Sequence, residues 1–180
     1  MKYMSLGILI MLACASAPLT AGDAYAADAA NPSPLDPFRF MVGEWDCTGQ
    51  VYAHGTVLAR PTRARVHGEE AAGGHWVLFR YDEIQTAENP RPFHIDQYFG
   101  YDPATKQYVS VAVDVGGYFA ETGSGWSGDS ITFDESADGK VIGHDTFTKK
   151  GQDEISHSGT DMDKEGKWIK TDEETCHRSK

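Results

Sequence analysis

Two histidines stand on either side of a Lys-Lys-Gly turn in GHDTFTKKGQDEISHSG, residues 143–159. If Lys150-Gly151 is a tight hairpin turn, directly opposite residues share a face and His144 meets His157 across the strands. A turn centred on Glu165 then sets Glu173 opposite His157, and a pairing of Cys47 with Cys176 sets Gln50 opposite Glu173. The expectation is a cross-strand row of His144, His157, Glu173 and Gln50. An imidazole beside a carboxylate changes charge near neutrality and can move a proton, which is general acid-base chemistry. The same row turned outward is an ordinary polar patch on a soluble surface.

A second set comes from propagating register through the turns around Gly116-Gly117, Ser127-Gly128 and Pro103-Ala104. One face collects Val77, Phe79, Tyr81, Val109, Val111, Val113, Ala120, Ile131 and Phe133, the more aliphatic of the two faces and therefore the expected interior. It carries His94, Asp96, Tyr98 and Thr122 with it. Phe79, Tyr81, Asp96, Tyr98, Thr122 and Phe133 are thus the candidate ligand-binding residues, with His144, His157 and Glu173 as candidate catalytic groups. A hydrogen-bonded structural network is the other reading of Asp96 and Tyr98.

Stronger signatures are absent. GSGWSG, residues 123–128, matches a dinucleotide fingerprint in letters, but DSITF follows it as a strand where a helix is required. The same segment lacks the last glycine of a nucleophile elbow. No Cys-x-x-Cys or His-Glu-x-x-His occurs, so no metal site is expected, and the acids of DMDKEG, residues 161–166, read as a solvated turn.

The elements that must hold these residues are strands. Val, Ile, Tyr, Phe and Thr-rich runs recur every ten to twelve residues between turn clusters, near 43–53, 56–67, 74–84, 93–101, 106–115, 118–126, 129–134, 140–149, 152–162 and 167–177. Sequential strands with hairpin turns and no crossover helices predict a single antiparallel up-and-down β-barrel of about ten strands, because closure removes exposed edges. A short N-terminal helix, Leu35 to Phe40, is placed to plug one mouth.

The segments PFRFMVGEWDCTG, GGHWVLFRYD, FGYDPATKQYV, SGWSGDSITF and GKWIKTDEETC together resemble a bacterial secreted calycin-like (lipocalin-like) barrel family known as a domain of unknown function. The resemblance runs from about Pro37 to Cys176 and implies the fold without implying a reaction. Gly43-Glu44-Trp45 is more distantly similar to the entry of the haem-binding nitrobindin barrels, whose following glycine pattern is interrupted here by Asp46 and Cys47. No cofactor is expected.

The chain has 180 residues and a formal net charge of -11, enough for one core and poorly suited to nucleic acid or to an anionic membrane surface. Such acidity solubilises first, and a preference for cationic ligands is the weaker consequence. MKYMSLGILIMLACASAPLTAGDAYAA reads as a signal peptide over 1–26, with a linker over 27–36 and the barrel domain over 37–180. That predicts a periplasmic or secreted protein; the alternative is lipidation of Cys14 and a membrane anchor. Export leaves Cys47 and Cys176, an even pair that favours a disulfide over two separate buried thiols. The expected function is binding of a small apolar or aromatic molecule in the barrel cavity. The alternatives are a cofactor-independent isomerase or lyase in the same cavity, and a cell-envelope interaction module.

Overall fold

The computed structural model describes residues 33–180, so the signal peptide, the Cys14 alternative and most of the linker lie outside the described residues. Eleven strands follow a 3-10 helix at Asp36–Met41: β1 Gly43–Val51, β2 Arg60–Ala71, β3 Trp76–Glu83, β4 His94–Asp102, β5 Gln107–Asp114, β6 Gly117–Gly123, β7 Trp126–Ser127, β8 Ser130–Ala137, β9 Lys140–Lys149, β10 Glu154–Met162 and β11 Trp168–Arg178. All pairings are antiparallel between neighbours in sequence, β1 pairs with β11, and β6 pairs with β8. The result is the expected up-and-down barrel of ten strands, with the two-residue β7 as an addition. Among the described residues the helical elements are two short 3-10 turns, the second at Ala72–Gly74.

The turn chemistry explains the hairpins. Asp114 accepts the amides of Gly116 (2.6 Å) and Gly117 (2.9 Å), folding the β5–β6 turn one residue before the expected Gly-Gly centre. Asp138 and Gly139 both have positive φ, 52° and 73°, as a two-residue primed turn requires. Asp163 caps its own turn by accepting from Glu165 and Lys167, each at 2.9 Å, which makes DMDKEG a solvated turn.

The core fills one half of the barrel. The 3-10 helix inserts Phe38 and Met41, both fully buried, and Phe38 stacks on Phe99 at 5.2 Å with Trp126 edge-on at 5.2 Å. Leu35, expected in the linker, belongs to this cluster. Trp45 donates Nε1–H to the Met41 carbonyl at 2.9 Å, and Arg178 lies over its ring while donating to the Val42 and Phe40 carbonyls. The last strand thus holds the plug. Position 68 must be glycine, since a Cβ there would run into the Met41 carbonyl. Cys47 and Cys176 are directly opposite on β1 and β11 and are bonded, so the disulfide seals the seam between first and last strands.

Candidate functional site

The half of the barrel away from the plug holds a cavity of about 470 Å³. It lies toward the ends where β1, β3 and β5 finish, beneath the β1–β2 and β3–β4 connections, which contribute His54, Val57 and Phe93. Phe79, Phe119, Ile95, Phe147 and Ile155 give it an apolar wall. Val57 (41% exposed) and Phe93 (38%), on those connections, both line the cavity and stand partly in water. The apolar lining thus continues outward as an apolar rim.

A polar wall is built by β6, β8, β9, β10 and β11, three of which also carry Phe119, Phe147 and Ile155 of the apolar lining. His157 on β10 is held between two carboxylates: Nε2 is 3.2 Å from Asp145 on β9, and Nδ1 is 3.2 Å from Asp172 on β11. Its ring packs on Phe147 at 4.6 Å. Burial opposes charge on this imidazole, but the hydrogen bonds to Asp145 and then Asp172 outweigh it and hold the pKa well above the ordinary 6.5. Burial also opposes charge on Asp172, and there hydrogen bonds from His157 and Thr171 prevail and lower its pKa. His157 is therefore an imidazolium with both N–H groups engaged, which can donate and cannot take up a proton at neutral pH.

Two further acids are pushed the other way. Glu174 accepts from Thr62 and Tyr81, both at 2.6 Å, yet burial raises its pKa. Glu121 on β6 is 3% exposed; Ser110 and Asp145 lie beside its carboxyl and bear on its titration, but its Oε2 meets no partner at ordinary hydrogen-bond geometry. Burial first, then the charge of Asp145, push its carboxyl up to about 8. Near pH 7 the Glu121 carboxyl is thus largely protonated. Glu83, by contrast, is structural: Arg60 (2.7 Å), Asn89 (2.6 Å) and the Phe93 amide (2.7 Å) bind it, tying the long β3–β4 connection to the barrel.

Facing differs from expectation at several candidates, and each difference has a local cause. Phe79, Tyr81 and Phe133 point inward, as expected, with Phe79 and Tyr81 on the cavity and Phe133 in the core. Asp96, Tyr98 and Thr122 lie on the outer face, where Asp96 meets Arg80 at 3.2 Å. Tyr81 pairs with Ile95, one residue from the expected Asp96, because residues 84–93 form a long connection with no compact turn to set the register. Ile95, Gln97, Ser110 and Ala112 take the inner positions instead, and Val109, Val111 and Val113 face outward. A second one-residue shift at Ser124 and Gly125, which interrupt the expected single strand 118–126, restores Ile131 and Phe133 to the inside.

The histidine row does not form. A bulge between Glu135 and Ser136 and their partners on β9 reverses the facing of that strand, so Gly143, Asp145 and Phe147 point inward. The His144 ring lies on the outer face, bonded to Asp134 at 2.7 Å and stacked on Trp168 at 4.3 Å. His144 opposes Thr160, and His157 opposes Phe147 and Glu174. A bulge at Thr171 displaces the last strand by one, placing Asp172 and Glu174 inside and Glu173 outside. Gln50 does oppose Glu173, on the outer face, where Tyr52 and Lys170 bind the carboxylate. Both histidines border the cavity, but His157 alone turns its ring among the inward carboxylates, the His144 ring being held outside by Asp134 and Trp168. Glu121, Glu135, Asp145, Asp161, Asp172 and Glu174 are acidic cavity residues that register propagation missed; the β3–β4 slip turns Glu121 inward, and the bulges, for which strand alternation alone carried no signal, do so for Asp145, Asp172 and Glu174.

Fold and site together define a ten-stranded antiparallel barrel with a half-apolar, half-acidic internal cavity. No protein-family model matches the chain, and no curated protein matches it. Among solved structures it is similar to Rv2717c from M. tuberculosis, at 15% identity over 83% of this chain and 99% of that one, with a TM-score of 0.62. Weaker likenesses are a redesigned β-barrel (10% identity, 78% and 93% covered, TM-score 0.44) and a Nostoc punctiforme protein of unknown function from the DUF3598 family (10%, 83% and 100%, 0.26). At these identities the likeness to Rv2717c is one of fold. The disulfide is consistent with an oxidising compartment.

Proposed function

We propose that the protein is an exported, periplasmic or secreted, calycin-like barrel that binds a small molecule with a largely apolar body. The observation that carries this reading is the cavity of about 470 Å³, whose apolar wall of Phe79, Phe119, Ile95 and Phe147 runs out to the exposed apolar rim. A pocket of this size suits a single small ligand, and aromatic walls with a few placed polar groups are the common design of such sites. The rim allows an apolar molecule to leave water in stages. The test is native mass spectrometry of protein purified from its own host, followed by identification of any retained molecule. An unchanged apolar or aromatic compound supports binding. Protein with an empty cavity that also fails to enhance the fluorescence of an apolar dye overturns it.

Acid-base catalysis has one observation in its favour: Glu121, largely protonated near pH 7, shares the cavity with the negative charge of Asp145, two carboxyl groups driven apart in role. An isomerase or lyase of this kind would use Glu121 as the acid and could not use His157 as the base, since that imidazole already carries its second proton. Incubating the retained ligand with the protein in deuterated water tests it. Deuterium at a carbon, lost in Glu121→Gln, marks catalysis; none marks a binder.

A further inference from the structure

The polar wall holds more negative charge than the protein neutralises. Seven of the residues lining the cavity are carboxylic acids, and the basic residues lining it are Arg60, His54, His144 and His157, of which His144 turns its ring to Asp134 and Trp168 on the outer face. Arg60 is taken by Glu83, and His157 by Asp145 and Asp172. Glu121, Glu135 and Asp161 receive no salt bridge from the described residues. His54 only eases the charging of Asp161 from a distance.

These three acids converge. Glu121 and Glu135 are directly opposite on β6 and β8, Glu135 is opposite Gly143 on β9, and Gly143 is opposite Asp161 on β10. Gly143 is what lets them close in: a Cβ there would sit 3.0 Å from Glu135 Oε2 and 3.2 Å from Asp161 Oδ1. Buried beside them, Glu121 keeps an unpartnered oxygen on the inner face of the barrel. A buried carboxyl oxygen without a donor is uncommon in a finished structure and marks a place where a partner is missing. Burial and mutual repulsion raise the pKa of Glu121, Glu135 and Asp161 alike, so the group is under electrostatic stress that a cation would relieve.

We propose that the ligand is an organic cation: an amine whose apolar body lies against Phe79, Phe119 and Ile95 and whose charged nitrogen sits between Glu135, Asp161 and Glu121. The proposal rests on the small-molecule-binding reading and adds the charge of the ligand's polar end. The aromatic rings contribute on both counts, since their faces attract a cation as well as an apolar chain. A neutral or anionic end would leave the three acids as crowded as before, or worse.

The experiment uses the disulfide-bonded protein and three probes of one shape, 4-phenylbutylamine, 4-phenylbutanol and 4-phenylbutyrate, measured by calorimetry near neutral pH. The amine is expected to bind about tenfold or more tightly than the alcohol, a modest share of the Coulomb energy of close opposite charges because the ammonium must shed water. The butyrate is expected not to bind. In a Glu135→Gln, Asp161→Asn double variant the amine and alcohol should bind alike. Amine binding should also release protons, read as heats that differ between buffers of different ionisation enthalpy. Alcohol binding as tight as the amine overturns the cation proposal and leaves small-molecule binding standing. No binding by any of the three, or an amine preference that survives the double variant, overturns the cation proposal as well.

Discussion

Replacing Glu121 by Gln keeps the side chain's shape and removes its titration, which makes the stress in the polar wall measurable as stability. The folded carboxyl titrates at about 8 and the unfolded one near 4.5. Between those values the folded state carries a proton that the unfolded state has lost, so the stability of the parent falls as pH rises. At about 1.4 kcal/mol per unit, the cost reaches about 3 kcal/mol at pH 7 and about 5 kcal/mol above pH 8, part of it belonging to the repulsion from Asp145. The glutamine variant lacks this slope. Parent and variant should therefore be similarly stable near pH 5, with the variant ahead by about 2 to 4 kcal/mol at pH 8. The assay is urea unfolding of both proteins, disulfide intact, at several pH values across that span. A stability difference that does not change with pH, or a variant weaker than the parent at pH 8, would refute the reasoning. A saturating amine should flatten the parent's slope, since it supplies the counter-charge the wall lacks.

His157→Ala leaves Asp145 and Asp172 without their shared counter-charge next to other acids, and should cost about 2 to 4 kcal/mol at neutral pH in the same unfolding assay, less than for a fully buried pair because these side chains keep 21 to 30% of their exposure. Because His157 has a raised pKa and Asp172 a lowered one, their contribution is present between the two ordinary values of 3.8 and 6.5. It fades as pH falls through the folded pKa of Asp172 or rises through that of His157, which proton NMR of the ring should find well above 6.5. His144→Ala should leave ligand affinity unchanged, its ring being outside the barrel wall; a loss in a binding titration would contradict that placement. Trp45→Ala should cost about 3 to 5 kcal/mol, but Trp168→Ala under about 1 kcal/mol, because Trp168 is 41% exposed and stacks on His144 outside the core. Reducing the disulfide, which spans a sequence separation of 129, should cost up to about 5 kcal/mol by chain entropy, and unreduced peptide mapping should find Cys47 linked to Cys176.

The barrel was legible because it depends on counts that survive small errors. Ten strand runs, hairpin-length connections and one cysteine near each end require only that neighbours pair and that the first and last strands meet. The pairing of Gln50 with Glu173 was readable for the same reason, since Cys47 and Cys176 fix that register covalently. The cavity was less legible because facing depends on parity, and one residue reverses it. Phe79, Tyr81, Ile131 and Phe133 came out inside because two one-residue shifts, at the β3–β4 connection and at Ser124-Gly125, cancel. Asp96, Tyr98 and Thr122 lie between those shifts, and that stretch came out reversed.

The bulges that hid the site are also what build it. On β9 and β11 an uninterrupted alternation would present His144 and Glu173 to the cavity; the bulges near Glu135 and at Thr171 substitute Asp145, Asp172 and Glu174. Each bulge exchanges one polar side chain for another, so the polar content of the strand gives no sign of it. Gly143 follows from the same geometry. The bulge turns position 143 inward between Glu135 and Asp161, where a larger residue would hold the two carboxylates apart. Gly143→Ala is accordingly the sharpest test of whether that crowding serves a ligand. If it does, the alanine should weaken amine binding while leaving the fold at least as stable, because separating two like charges relieves repulsion. If the variant instead loses stability and binds the amine as the parent does, the glycine is there for packing and the convergence of the acids has no part in recognition.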